Sequence, residues 1–303
     1  MKKVAVLMST YNGMRFLPEQ VESILSQKDV EVQLFVRDDG SSDGTVDYLS
    51  KFDDRLTLIP GKNLGVGNSF MQLVYMVPET YDYYAFSDQD DIWMQEKLAI
   101  AVNALDDRPG SCLYVSNQTL TDAGGKPIGN RYATAPDVSF RQILCQNMIS
   151  GCTMVWNREL HVLLSDPSHR PDPELLRARI HDVWVAMAAA VTGEILYDDE
   201  SHIYYRQHEN NVVGVRRTPI LSQWMDKVEK PELRCGRSRL AKETLRCFED
   251  QIKNPEIRRQ LHCYGFYKNT LSGKLRLLKD VSLIANTRES ATFYRLKVLF
   301  NLF

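Results

Sequence analysis

The sequence predicts an α/β fold in which helices flank a mostly parallel central sheet, followed by a helical C-terminal extension. Short apolar runs at residues 4–8, 32–36, 56–59 and 83–87 have the length and composition of buried strands. Amphipathic helix patterns separate these runs. Strands and helices that alternate in this way form parallel sheets with right-handed crossovers.

The helices of the first half begin at clear local signals. Pro18 opens a helix that runs to residue 27, because proline is favoured in the first turn of a helix. A second helix begins after Asp43, and a third follows the turn at Gly65. Polar loops follow the first, second and fourth strands directly. We therefore expect these three loops to meet at the ligand-binding rim of the sheet.

The second half mixes shorter elements. Strands are predicted at residues 113–116, 154–156, 195–198 and 203–205, with a turn at residues 122–125. An unusually apolar helix is predicted over residues 181–190 and is expected to be buried. After Gly214 the composition is helical and basic.

A chain of 303 residues fits one α/β domain with an appendage. We predict an α/β domain over residues 1–215, in two halves at 1–110 and 111–215, and a basic helical region over residues 216–303. The net charge of −2 hides an asymmetry, because residues 221–303 carry 17 Lys and Arg against 9 Asp and Glu. A basic region suits an anionic partner such as a membrane surface or a polyanion, and a solvated helix face is the alternative.

The last residues interleave aromatic and basic side chains over positions 293–303, a pattern typical of a segment at a membrane interface and also of a packed or dimerising helix. None of the six cysteines has C-x-x-C spacing, and no apolar stretch is long enough to cross a bilayer. The sequence therefore predicts a reduced, cytoplasmic protein, with peripheral contact to the inner face of the membrane as an option. A nucleic-acid partner is not expected, and a homodimer stays open.

The strongest chemical feature is the acidic segment Asp88-Gln89-Asp90-Asp91 at the end of the fourth predicted strand. Neighbouring carboxylates repel one another unless a cation lies between them. Asp88 and Asp90 point the same way on a strand end and supply the oxygen ligands that Mg²⁺ or Mn²⁺ prefers. The alternative is a solvated turn in which Asp91 caps a helix that begins near Trp93.

A second acidic pair, Asp38 and Asp39, ends the second predicted strand. It could belong to a simple turn, with Asp43 capping the helix that follows. A doubled carboxylate at a strand end also suits a base pocket, because one carboxylate can accept the N3–H of uracil or thymine. Thr10 and Tyr11, after the adjacent strand, could hold the same base by hydrogen bonding and ring contact.

Three segments together resemble a known family. The order and spacing of STYN at residues 9–12, DDGSSDGT at 38–45 and SDQDDIW at 87–93 resemble the family 2 glycosyltransferases of the GT-A fold. Asp88 and Asp90 match the DxD motif of that family. The segment YYRQHENNVVG at residues 204–214 resembles the bacterial rhamnosyltransferase branch, which builds cell-wall polysaccharides and O-antigens. The resemblance covers residues 1–215.

The resemblance implies how a nucleotide-sugar donor is held in the first half of the domain. Thr10, Tyr11 and Asp39 would hold the pyrimidine base. Asp88 would approach the ribose or deoxyribose, and Asp90 would bind the metal that bridges the diphosphate. Asp88 and Asp91 are further candidate metal ligands. Asn63, Gly65 and Asn68 are interpreted as turn and cap residues, with the lining of the donor pocket as the alternative.

The second half would supply the acceptor site and the catalytic base. Asp182 occupies the place of that base, at the head of an apolar helix that would desolvate its carboxylate. The alternatives are that Asp182 is a helix cap and that His181 is the base. Arg206 and His208 are candidates for stabilising the departing diphosphate, although a salt bridge with Glu209 would also explain Arg206.

The implied reaction is a single displacement with inversion at the anomeric carbon. Our preferred donor is dTDP-L-rhamnose, and the acceptor is a cell-surface polysaccharide or a lipid-linked glycan. A UDP-hexose donor is the first alternative. A sugar nucleotidyltransferase would need a Gly-rich, basic phosphate loop after the first strand, where this chain has only Gly13 and Arg15. A non-catalytic polysaccharide-binding protein would not need clustered carboxylates.

Overall fold

Nine strands form one sheet in the computed structural model, which describes residues 1–52, 54–178, 180–208, 236–287 and 289–303. The order across the sheet is β3-β2-β1-β4-β8-β6-β9-β5, and β7 pairs with β6 outside this path. The strands are β1 Lys2–Thr10, β2 Val30–Asp38, β3 Leu56–Pro60, β4 Tyr83–Ser87, β5 Ile92–Trp93, β6 Cys112–Thr121, β7 Pro127–Asn130, β8 Val155–Asn157 and β9 Glu194–Arg206. The predicted α/β fold is confirmed.

The first four strands are all parallel, as the sequence predicted. Their buried apolar side chains alternate between the two sides of the sheet, and helices cover both sides. The register places Thr10 opposite Asp38, and Met8 opposite Ser87. The carboxyl ends of β1, β2 and β4 therefore lie at one edge, which is where their polar loops emerge.

The second half of the sheet contains antiparallel pairs. β8 lies antiparallel between β4 and β6, and β5 is antiparallel to β9. The two short strands predicted at residues 195–198 and 203–205 are one strand, β9. It follows β6 in parallel with register shifts near Asn117, so it bends where the sequence suggested a break.

The alternative interpretation of the acidic segment had a helix beginning near Trp93, and no helix starts there. Ile92 and Trp93 instead pair with Tyr204 and Ile203 of β9, and the next helix begins at Lys97. The interpretation of Asp91 as a helix cap was therefore wrong. Pairing with a strand more than 100 residues away decided the backbone conformation here.

Thirteen α-helices lie in the described residues, and short 3-10 turns connect some of them. They are α1 Leu17–Leu25, α2 Thr45–Leu49, α3 Val66–Met76, α4 Lys97–Leu105, α5 Phe140–Cys145, α6 Arg158–Ser165, α7 Pro173–Ala178, α8 His181–Thr192, α9 Gly236–Phe248, α10 Pro255–Phe266, α11 Leu271–Lys279, α12 Val281–Ala285 and α13 Ala291–Leu299. The apolar helix predicted over residues 181–190 is α8, and it is buried as expected.

The C-terminal helices share a core with the sheet. Trp184 of α8 packs against Phe248 of α9, with ring centroids 5.3 Å apart, and the buried Phe303 belongs to the same core. The predicted helical extension is thus present over residues 236–303, while the predicted boundary at residue 215 lies outside the described residues. No disulfide joins the five cysteines of the described part of the chain. None of its helices has the length and apolar character that a membrane span requires.

Candidate functional site

The loops after β1, β2 and β4 are joined to one another by hydrogen bonds. The Asp39 N–H donates to the Thr10 carbonyl at 2.8 Å, which connects the loops after β1 and β2. The side-chain amide of Gln89 pairs with the Tyr11 backbone, accepting from its N–H at 2.9 Å and donating to its carbonyl at 3.2 Å. The three polar segments therefore meet at one rim, as the sequence predicted.

Gln89 had no role in the sequence analysis, yet it connects the acidic segment to the Tyr11 loop. Gly13 makes room for it, because a Cβ at Gly13 would lie 2.2 Å from Gln89 Oε1. The neighbouring Asn12 has a φ of 48° and donates its N–H to Ser41 Oγ at 2.9 Å. The only signal in the sequence for this arrangement is the amide side chain inside the acidic segment.

Asp38 shapes the loop after β2. Its carboxylate accepts hydrogen bonds from the Thr10 hydroxyl at 3.0 Å and from the backbone N–H groups of Gly40 and Ser41 at 3.0 and 2.8 Å. Thr10 is fully buried. The hydroxyl of Thr10 therefore holds Asp38 in place.

Asp39 forms an ion pair with the buried Arg37, a residue that the sequence analysis did not identify. Arg37 Nη1 donates to Asp39 Oδ1 at 2.5 Å, and both side chains are buried. The N–H groups of Leu64 and Gly65 donate to the same carboxylate at 2.8 and 3.0 Å. A carboxylate can accept about four hydrogen bonds. Since Arg37, Leu64 and Gly65 supply three, the Asp39 carboxylate can accept one more.

The segment before α3 forms a turn, in line with our interpretation of Asn63, Gly65 and Asn68. Asn63 Oδ1 accepts the Gly65 N–H at 3.1 Å, and Gly65 precedes α3 with a φ of 80°. Asn68 donates to the carbonyls of Leu64 and Pro173. These contacts stabilise the turn, and they hold the N–H groups of Leu64 and Gly65 in position to donate hydrogen bonds to Asp39.

The acidic segment forms a cluster with a cysteine from a distant part of the chain. Asp88, Asp91 and Cys152 bring one ligand atom each to within 4.8 Å of one another. Burial, together with repulsion from Asp90 and Asp182, raises the pKa of Asp88 well above its usual range. Burial and the neighbouring carboxylates raise the pKa of Asp91 as well. The cluster therefore favours protonation unless a cation offsets its charge.

Asp91 lies at the bottom of this cluster and is fully buried. Its Oδ1 accepts the Arg206 N–H at 3.2 Å, whereas Oδ2 has no hydrogen-bond partner in the described residues. The buried Lys97 packs its ammonium 3.7 Å from the centroid of the Trp93 ring, and burial lowers its pKa to about 8. An orphaned carboxylate oxygen beside two other acidic groups fits a bound divalent cation.

Asp90 lies beside the segment that follows β9. His208 Nε2 is 2.7 Å from Asp90 Oδ2, and the His208 ring packs on Phe16. The Arg206 guanidinium lies 4.7 Å from the Phe16 centroid, pairs with Glu19 at 2.5 Å and donates from Nε to the Asp90 carbonyl at 3.1 Å. The structure thus brings both predicted diphosphate residues to the acidic segment. The ion pair seen for Arg206 is with Glu19, and Glu209 lies outside the described residues.

Asp182 lies in the first turn of α8, and its carboxylate contributes to the raised pKa of Asp88. The residue before the helix is Ile180, and Asp182 Oδ1 accepts the Val183 N–H at 2.6 Å. The interpretation of Asp182 as the cap was therefore wrong, because Asp182 lies two residues beyond the cap position.

His181, the competing candidate for the base, faces the core. Its ring stacks on Phe70 at a centroid distance of 3.9 Å and meets Phe86 edge-on. Burial lowers its pKa to about 3. A Cβ at Gly151 would lie 2.6 Å from His181 Nε2, so the ring is closely enclosed. This environment suits packing and does not suit proton transfer to or from a substrate.

Comparison with known proteins agrees with this geometry. The family model described as glycosyl transferase family 2 matches residues 5–154. The dTDP-rhamnosyl transferase RfbG of Shigella flexneri is 31% identical over 220 residues, which are 68% of this chain and 73% of that protein. A glucosyltransferase of Escherichia coli, WfgD, which is named for UDP-Glc and a GlcNAc-diphosphoundecaprenol acceptor, is 24% identical over 52% of this chain and 61% of its own length.

A solved structure extends the likeness to the whole chain. Residues 1–349 of TarS from S. aureus, crystallised with UDP-GlcNAc, superpose with a TM-score of 0.60 at 18% identity, over 99% of this chain and 89% of that one. At this identity the likeness shows the fold alone. The family match, the RfbG relative and the joined rim loops lead to one conclusion: this chain belongs to the family 2 glycosyltransferases and has the GT-A fold.

Proposed function

We propose that this glycosyltransferase moves L-rhamnose from dTDP-L-rhamnose to a hydroxyl of a cell-surface polysaccharide or a lipid-linked glycan, with inversion at the anomeric carbon. One observation carries the proposal. The loops after β1, β2 and β4 are hydrogen-bonded into a single rim, and the acidic segment and Asp182 lie beside each other there. A nucleotide-sugar donor that binds along this edge would contact the rim loops through its base, the acidic segment through its diphosphate, and the region of Asp182 through its sugar.

The base would be held by the loops after β1 and β2. The Tyr11 side chain is 51% exposed, which leaves its ring free to contact a pyrimidine. Asp39 has one acceptor position left for a base N3–H once Arg37 and two backbone groups have donated. Thr10 is buried and donates its hydroxyl to Asp38, so we propose that it shapes the pocket by holding Asp38 and does not contact the base.

The diphosphate would lie at the acidic segment. Asp88 and Asp90, with Asp91 behind them, would hold Mg²⁺ or Mn²⁺, and the bound cation would offset the charge of the leaving nucleoside diphosphate. His208 is 2.7 Å from Asp90 and can add a hydrogen-bond donor on that side. Arg206 brings positive charge to the same edge, although Glu19 and backbone carbonyls hold its guanidinium.

Asp182 is the proposed catalytic base. It would take the proton from the acceptor hydroxyl as that oxygen attacks the anomeric carbon and the bond to the diphosphate breaks. It lies in the first turn of α8, close enough to Asp88 for the two carboxylates to repel each other. Because the buried His181 cannot reach substrate, no other described residue of this turn can perform the step.

The identity of the donor sugar rests on the comparisons. RfbG, whose name specifies dTDP-rhamnose, is 31% identical to this chain over 220 residues. WfgD, named for UDP-Glc, shares 24% over a shorter segment. The higher and longer identity favours dTDP-L-rhamnose, and UDP-hexoses are the second class of donor to test. Membership of the family removes the sugar nucleotidyltransferase alternative.

A binding screen with three variants tests these roles. Thermal unfolding is followed with dTDP-L-rhamnose and UDP-glucose, each with and without Mn²⁺ or Mg²⁺. A donor at about 100 times its Kd adds about 2.7 kcal/mol to the free energy of unfolding. Asp90→Asn should lose the metal-dependent part of this gain. Asp182→Asn should keep the gain and lose sugar transfer. Asp106→Asn, at the opposite end of the sheet where Asp106 pairs with Lys2, is the matched control and should keep both.

Mass spectrometry of a glycan acceptor then distinguishes transfer from hydrolysis of the donor. The proposal is wrong if neither donor stabilises the protein at any metal concentration, or if Asp182→Asn transfers sugar at the rate of the Asp106→Asn control. If only UDP-glucose stabilised the protein, the proposed roles of the residues would stand, and the proposed donor would change from dTDP-L-rhamnose to a UDP-hexose.

A further inference from the structure

The outward sides of the last helices carry a concentration of exposed apolar side chains. Thirteen large apolar side chains are exposed in the described residues, and seven of them lie between residues 266 and 303. Six belong to α11, α12 and α13 or follow them directly. We call these six the C-terminal apolar face: Leu271, Leu275, Val281, Leu296, Leu299 and Phe300. Isolated exposed leucines are ordinary, whereas several exposed apolar side chains on neighbouring helices make these helices a candidate interaction surface.

The exposed residues recur at helical spacing. Leu271 and Leu275 are one turn apart on α11, and Leu296 and Phe300 are one turn apart at the end of α13. Side chains on the other side of each helix are fully buried in the core. Each helix therefore has an inner apolar side that the protein covers and an outer apolar side that it leaves in water.

Side-chain contacts hold α11 and α13 against the rest of the protein. The apolar side chains on their outer sides are therefore exposed although the helices are packed. Tyr294 Oη of α13 donates to the Leu277 carbonyl of α11 at 3.1 Å. Glu289, just before α13, binds both Arg237 of α9 and Lys297. These contacts join α9, α11 and α13 through their buried sides.

Exposed cations lie among the apolar residues of this face. Arg276 and Lys279 follow Leu275 on α11, Arg295 precedes Leu296 on α13, and all three cations are exposed. Within the described ranges of the chain, none of the three forms an ion pair. Residues 266–303 contain 7 Lys and Arg against 2 Asp and Glu.

Both acidic groups of that stretch are engaged within the fold. Asp280 accepts the Tyr264 hydroxyl at 3.0 Å and caps α12 through the Leu283 N–H at 2.9 Å. Glu289 is held by the two cations named above. Neither acidic group forms an ion pair with Arg276, Lys279 or Arg295, so these three cations carry their charge at the exposed surface.

We propose that the C-terminal apolar face docks on the surface of an anionic lipid bilayer. Leucine and phenylalanine side chains on fixed helices enter the boundary between headgroups and acyl chains, and neighbouring arginines and lysines contact anionic headgroups. A second copy of this chain is a poorer occupant. A twofold contact through this face would bring two surfaces that both carry exposed cations against each other. The inference does not depend on the identity of the donor sugar.

Vesicle co-sedimentation of the full chain tests the proposal. Vesicles of phosphatidylcholine alone are compared with vesicles that also contain phosphatidylglycerol, at low and high salt. The chain is expected to pellet with the anionic vesicles at low salt and to be released by high salt. The double variant Leu299→Glu/Phe300→Glu should reduce the bound fraction about tenfold or more, because two apolar anchors are replaced by charge.

Met76 and Ile128 provide a matched control. They are 53% and 59% exposed and belong to α3 and β7, not to the C-terminal helices. The variant Met76→Glu/Ile128→Glu should pellet as the unchanged chain does. Each variant's unfolding temperature is measured, and unchanged values show that lost binding does not reflect lost folding.

Three results would overturn the proposal. The unchanged chain could stay in the supernatant with anionic vesicles at low salt. The control variant could lose binding as much as the Leu299→Glu/Phe300→Glu variant. Light scattering could show a dimer that the face variant dissociates, which would make this surface an interface between copies. None of these results would alter donor binding at the rim, so they are distinct from failure of the proposed function.

Discussion

The buried ion pair between Arg37 and Asp39, beneath the proposed base pocket, yields a quantitative prediction. Arg37→Met keeps most of the side-chain volume but removes the guanidinium that binds Asp39 at 2.5 Å, where the side chains are only 6% and 4% exposed. Removing one partner of a buried pair costs about 3–5 kcal/mol because the other charge is left without compensation. Asp39 keeps two backbone N–H donors, so we expect the lower end, about 3 kcal/mol.

Urea unfolding measures this loss, and the chain supplies a control. Arg108 pairs with Glu194 at 2.9 Å, but those side chains are 42% and 53% exposed, so Arg108→Met should cost at most about 1 kcal/mol. Adding Asp39→Asn to Arg37→Met removes the stranded charge and should recover about 1–2 kcal/mol. The reasoning is refuted if Arg37→Met costs no more than Arg108→Met, or if Asp39→Asn makes the variant less stable still.

Three further changes have defined outcomes. Gly13→Ala would place a Cβ 2.2 Å from the flexible end of Gln89, so the amide should move away from the Tyr11 loop. Donor affinity, measured by calorimetry, should fall about threefold to tenfold with little change in stability. Gly193→Ala would place its Cβ 1.8 Å from the Ser111 carbonyl oxygen, and because that atom is backbone the cost should be about 3 kcal/mol or more in urea unfolding. Burial lowers the pKa of His161 from 6.5 to about 4, so between these values only the unfolded chain takes up this proton. Proton uptake at position 161 in the unfolded chain should therefore lower the free energy of unfolding by about 3 kcal/mol as the pH drops through that window, and His161→Phe should remove this contribution while that of the buried His181 remains. An unchanged profile in His161→Phe would assign the acid sensitivity to other groups.

The order of strands and loops in the first half could be predicted from local signals. Residues 83–87 read as a strand because they are a short apolar run between polar segments, and β4 has those bounds in the structure. The meeting of the three rim loops followed from parallel topology alone, because the carboxyl ends of parallel strands share one edge. The predictions failed where pairing between strands distant in sequence determined the backbone conformation, as at Trp93 and along β9.

The residues that hold the site together were harder to foresee. Arg37 reads as an ordinary polar residue at the end of a strand, and Gln89 as the spacer between two aspartates. Cys152 is one of six cysteines with no motif around it, yet it joins the acidic cluster across more than 60 positions of sequence. Nothing in the local pattern of these residues specifies their partners, since each partner comes from another loop.

The sequence alone was therefore sufficient for the fold class, the family and the acidic segment, because burial periodicity and motif spacing are properties of adjacent residues. Only the tertiary structure decided how those residues are used. It placed Arg37 beneath Asp39, paired Asp90 with His208 and enclosed His181 in the core. The physical reason is that charge and hydrogen-bonding groups act over a few ångströms, and which groups come that close depends on the packing of elements distant in the chain.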